Sequence, residues 1–75
     1  MALRFRPGAL AAARVAAGLS RDKLALLASV GRVSIFMAET GRTTPRPETV
    51  KAIADALGVP VTDLYDEVPD FDGAA

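Results

Sequence analysis

The sequence predicts an all-α fold, a compact bundle of five short helices, and three observations point to it. Small and aliphatic residues recur at helical spacing in successive segments, as in Leu10, Ala13 and Ala17 or Val50, Ile53, Ala54 and Leu57. Gly18, Gly41 and Gly58 stand where those segments end, the place where a left-handed C′ residue stops a helix. The stretch Gly18 to Pro45 reads as two short helices joined by a tight turn, a unit the remaining helices can pack around.

Met1 to Arg6 is expected to be a loose arm, because nothing in it has a helical pattern. Pro7 suits the first position of a helix, where its missing N–H costs little, and the first helix is expected to run to about Ala17. Its alanines favour helix and let neighbours approach closely. The second helix starts at Ser20, whose hydroxyl can cap the following turn, with Asp22 placed to complement the helix dipole. Lys23 sits where a capping-box Glu or Gln would reach back, so no box forms. Leu24, Ala25, Leu27 and Ala28 are its expected buried residues.

Ser29-Val30-Gly31 has the small residues of a sharp bend, and a third helix follows from about Arg32 to Thr40. Ile35, Ala38 and Glu39 fall on one side of that helix; Val33, Phe36, Met37 and Thr40 fall on the other. Since Ile35 and Ala38 suit a core, the second side faces outward and is unusually apolar. Glu39 is then an inward carboxylate that needs a partner. Residues 42–47, RTTPRP, form a loop; a fourth helix spans Glu48 to Leu57, and a short fifth spans about Val61 to Tyr65 with Val61 and Leu64 inward. The tail from Asp66 to Ala75 is acidic and is expected to be flexible. One domain over residues 1–65, with an arm at 1–6 and a tail at 66–75, is the expected organisation.

Composition excludes several classes of function. The 75 residues contain no Cys and no His, which removes disulfides, thiolate metal sites and the commonest general base. No uncharged apolar run nears the roughly 20 residues of a membrane span. The basic, alanine-rich N-terminus is interrupted by Arg14 and reads as an amphipathic helix, so a cytoplasmic location is expected. Asp63, Asp66 and Glu67 lack the spacing of a metal loop, and no Gly-rich phosphate loop or nucleophile-base pair occurs. The reading is therefore not an enzyme, with no cofactor, no metal and no small-molecule substrate.

Charge is more informative. The formal net charge is zero, yet residues 1–51 hold all nine basic residues and three acidic ones, +6, while residues 52–75 hold six acidic and no basic ones, −6. Such a division suggests a basic face for a polyanion and an acidic end kept away from it. Two short helices at a tight turn form a helix-turn-helix, whose second helix can enter a DNA major groove.

From about Leu10 to Tyr65 the chain resembles the lambda-repressor/Cro-type (XRE) helix-turn-helix family. The pieces that carry the resemblance are Arg14, then GLS at 18–20 and Leu24-Ala25, then Ile35, Glu39 and Gly41, Pro45, and finally IADALGVPVTDL. The resemblance implies a lambda-repressor-like DNA-binding domain of five helices and a transcriptional regulator, a repressor or an activator, and a repressor is the expectation here. It implies bacterial or phage origin, and a homodimer on a pseudo-palindromic stretch of double-stranded DNA. It pairs Arg14 with Glu39 in a structural salt bridge. It places Arg21, Arg42, Thr43 and Thr44 near phosphates, and Arg32, Val33, Phe36 and Met37 at base edges; Arg46, a basic residue of the same loop, is a further phosphate candidate by its charge. Leu64, Tyr65, Val68 and Phe71 are the candidate dimer contacts.

The sequence departs from the family pattern at two places. Of the base-facing residues only Arg32 can make a bidentate contact to guanine; Val33, Phe36 and Met37 have no donors and can only meet thymine methyls. Position 29, a turn position usually occupied by Gly, is Ser. The apolar outward face leaves a second reading open, a helix-turn-helix-shaped protein-interaction module of the antitoxin or adaptor kind.

Overall fold

Three of the four helices begin where the sequence supplies a start signal. The computed structural model describes residues 2–68, with helices α1 (Pro7–Ala16), α2 (Arg21–Ala28), α3 (Arg32–Glu39) and α4 (Pro47–Leu57). Pro7 and Pro47 open α1 and α4, where a missing N–H leaves no helical bond unmade. Ser20 caps α2 by accepting the Lys23 N–H at 3.0 Å.

All four helices end in the same way. A residue with left-handed backbone follows each of them: Gly18, Ser29, Gly41 and Gly58. The N–H one residue later then reaches back five residues, Leu19 to the Arg14 carbonyl, Val30 to Ala25, Arg42 to Met37 and Val59 to Ala54. This is the Schellman arrangement, which satisfies carbonyls the helix would otherwise leave open. Ser29 is the non-glycine among the four, at φ 58°, where a Cβ costs on the order of 1 kcal/mol. Ser29→Gly is therefore expected to stabilise the domain by about 1 kcal/mol, raising Tm by roughly 4–8 °C in a thermal melt.

The core takes residues from all four helices and from the segments that flank them. Leu10, Leu24, Ile35, Val50, Ile53 and Leu64 are its largest fully enclosed side chains. Buried Ala25, Ala28, Ala38 and Ala54 fill the space between them, which lets α2 pack against both α3 and α4 while α1 packs on α3. Leu27, expected inside, is 51% exposed. The buried stripe of α2 is centred on Leu24, Ala25 and Ala28, and Leu27 lies roughly 110° around the helix from that centre at 100° per residue. Ala17, expected on the α1 stripe, lies past its last turn and is exposed.

The fold is not all-α. The expected fifth helix is a single 3-10 turn, Val61–Leu64, and Tyr65 instead begins a strand. Strand β1 (Ala2–Phe5) pairs antiparallel with β2 (Tyr65–Val68), aligning Ala2 with Val68 and Phe5 with Tyr65. The segment expected to be a loose arm is thus ordered over β1, and residues 66–68, assigned to the flexible tail, belong to β2. Burial and charge explain both corrections. Phe5 is 7% exposed and meets Tyr65 edge-to-face with ring centroids 6.1 Å apart. The Arg6 N–H donates to the Leu64 carbonyl at 2.9 Å, and the Arg6 side chain pairs with Asp66 at 3.3 Å. Part of the basic N-terminus therefore faces the acidic C-terminal strand rather than a polyanion.

Candidate nucleic-acid interface

The turn between α2 and α3 is built from three residues with separate tasks. Ser29 reverses the chain, Val30 tucks against the core, and Gly31 supplies the extended backbone from which α3 starts. With no side chain capping its first turn, α3 begins exposed at Arg32 and Val33.

Beneath this unit lies a three-residue charge cluster. The Glu39 side chain is 1% exposed. Arg14 grips it with two bonds, Nε to Oε2 at 2.6 Å and Nη2 to Oε1 at 3.1 Å, and uses Nη1 to hold the Leu19 carbonyl at 2.8 Å. Arg21 donates a third bond, Nε to Oε1 at 3.0 Å. The sequence reading paired Glu39 with Arg14 and sent Arg21 to phosphate; the structure joins all three. A signal for this was present: Arg21 lies three residues before Leu24 and seven before Ala28, on the buried face of α2. Among the described residues no buried side-chain nitrogen or oxygen lacks a partner.

Burial by itself would push the Glu39 carboxyl up, but the hydrogen bonds and charges of Arg14 and Arg21 outweigh it and hold the group below the usual carboxylate range. The hydrogen bond to Glu39 likewise raises Arg14 against the opposing effect of its burial. Folded Glu39 thus binds its proton more weakly than unfolded Glu39. Unfolding takes up a proton in acid, so its stabilisation is complete well above the unfolded pKa of about 4.3 and is lost as pH falls through the lower folded value. Denaturant titrations between neutral pH and pH 3 are expected to show this loss, and Glu39→Gln is expected to flatten it.

The outer surface of α3 has an apolar centre with cationic flanks. Val33 is 67% exposed, Phe36 is 37% exposed, and Met37 is half-buried. Two guanidiniums lie over the Phe36 ring, Arg21 at 5.2 Å and Arg42 at 5.6 Å from its centroid. Arg42 is delivered there by the end of α3, since its N–H is bound to the Met37 carbonyl at 2.9 Å. Arg32 leans across the turn to Asp22, with 3.5 Å between Nε and Oδ1 and both side chains about two-thirds exposed, so the pair is weak. Arg14, Ser20, Arg21, Asp22, Arg32, Val33 and Phe36 line an open cleft of about 580 Å³ between the starts of α2 and α3.

The structure brings Arg21, Arg32, Val33, Phe36 and Arg42 together on this surface, with Thr43, Thr44 and Arg46 exposed in the loop that follows. Sequence reasoning missed the Asp22 partner of Arg32. The dimer candidates fare differently. Leu64 is fully enclosed in its own core and unavailable to a second copy. Tyr65 and Val68 lie half-buried in β2, and Phe71 lies outside the described residues. Among the described residues no cluster of His, Cys, Asp or Glu is arranged to hold a metal, and no helix is long and apolar enough to cross a membrane.

Comparison with known proteins places this geometry. A helix-turn-helix family model matches residues 10–64. Among solved structures, the restriction-modification controller protein C.AhdI from Aeromonas hydrophila superposes with a TM-score of 0.75 at 28% identity, over 77% of this chain and 88% of that one. No curated protein matches in sequence. The family match runs from within α1 through the 3-10 turn, including the Arg14–Glu39 cluster and the exposed face of α3, and the chain belongs to the lambda-repressor/Cro-type helix-turn-helix family of DNA-binding transcription regulators.

Proposed function

We propose that this protein regulates transcription by placing α3 in the major groove of a promoter, acting as a repressor that excludes polymerase. The observation that carries the reading is the exposed face of α3, an apolar strip of Val33 and Phe36 bordered by Arg21, Arg32 and Arg42. Arg21, Arg42, Thr43, Thr44 and Arg46 contact phosphates and set the register. Arg32 releases Asp22 to meet guanine, while Val33 and Met37 complement thymine methyls. Phosphate contacts supply most of the affinity, which falls with salt. A homodimer sets two such helices on half-sites about one helical turn apart. The likeness to a controller of restriction-modification supports a regulator of this kind.

The protein-interaction reading draws on the same apolar strip, but the guanidiniums over Phe36 weigh against it. A partner binding there would bury two cations with the ring. The test is selection of genomic fragments on the intact protein across a salt series, followed by sequencing. Enrichment of a short inverted repeat, weakening steeply with salt, supports the proposal. Absence of binding even at low salt overturns it.

A further inference from the structure

Phe36 stands on the outward face of α3, has no hydrogen-bond donor or acceptor, and its ring carries two arginines. Those arginines come from the two ends of the helix-turn-helix. Arg21 stands at the first residue of α2, with Nε already committed to buried Glu39. Arg42 stands just beyond α3, its backbone locked by the Met37 carbonyl. Each arginine is thus restrained at one point, and the ring restrains its guanidinium. Cation–π attraction orients an arginine without using its N–H donors. The Nη atoms of Arg21 and the fork of Arg42 stay free of protein partners in the hydrogen bonds of the described residues.

Resting on the DNA reading above, we infer that Phe36 is a positioning residue: it holds Arg21 and Arg42 as a preset pair of phosphate contacts and acts on DNA through them. An arginine that is already oriented loses less side-chain freedom on binding, so the ring raises affinity for any duplex without choosing among sequences. Sequence choice on this face then falls to Arg32, with Val33 and Met37.

The experiment compares unaltered protein, Phe36→Leu and Phe36→Tyr. Leucine keeps an apolar side chain for a thymine methyl but removes the ring; tyrosine keeps the ring. The probes are a labelled short duplex of random sequence and the duplex enriched from it by selection, each titrated over a salt series. A thermal melt of each variant establishes folding. In the free protein, NMR follows the Arg21 and Arg42 side-chain signals, which a ring overhead displaces. Phe36→Leu is expected to weaken binding to both probes about five- to tenfold, to make the salt slope shallower by about one, and to leave the preference between probes unchanged. The arginine signals move back to ordinary positions, and Phe36→Tyr restores them together with the affinity. A changed preference at an unchanged salt slope would overturn the inference, because Phe36 would then be reading a base. So would undisplaced arginine signals in the unaltered protein. Displaced signals without binding to either probe would instead sink the DNA reading on which the inference stands.

Discussion

Glu39→Ala is expected to destabilise the domain by about 3–5 kcal/mol, the cost of breaking a buried pair by removing one partner. That is a large share of the roughly 4–11 kcal/mol available to a chain of this size. The reason is geometric. Glu39 is enclosed, and its two oxygens take three hydrogen bonds from Arg14 and Arg21. Without it, Arg14 stays largely buried with an unmatched charge and a single carbonyl partner at Leu19. Equilibrium unfolding in urea measures the effect. A loss below about 1 kcal/mol would mean that the cluster behaves as a solvated surface pair. Replacing Arg14 and Glu39 together by apolar residues of similar size is expected to cost less than Glu39→Ala, since desolvation of the pair is removed along with its attraction. Arg14→Lys is not conservative here, because an ammonium cannot bridge both carboxylate oxygens and the Leu19 carbonyl in one plane.

The second large effect is on DNA. Reversing Arg42 and Arg46 together to Glu is expected to lower affinity by about two orders of magnitude at low salt and to reduce the salt slope by about two, one for each lost phosphate contact. Fluorescence anisotropy over a salt series measures both quantities. Arg42 and Arg46 are both exposed and make no ion pair among those seen in the described residues, so the melting temperature is expected to change little. Arg21 is a poor choice for the same test. Its reversal would set a second carboxylate against Glu39 and confound lost binding with lost folding. Unchanged affinity in the double reversal would remove the loop after α3 from the interface.

The residues alone determined the four helices, with their ends within about one residue of those observed. These signals are local: Pro7, the Ser20 cap, the left-handed stops at Gly18, Gly41 and Gly58, and apolar spacing such as Val50, Ile53 and Ala54 all act within a turn or two of their own position. The outward face of α3 was legible for the same reason, since Ile35 and Ala38 leave Val33 and Phe36 no other side. Only the tertiary structure decided which distant segments meet. The ends of the chain pair as β1 and β2 because the bundle brings them side by side, where Phe5 finds Tyr65 and Arg6 finds Asp66. No helical or turn signal encodes that encounter, and a four-residue strand gains its stability from its partner rather than from its own sequence. Arg21 likewise turns to Glu39 and Phe36 because α2 and α3 pack at that point. A long, flexible cation is assigned its partner by whichever buried charge and open ring lie within its reach.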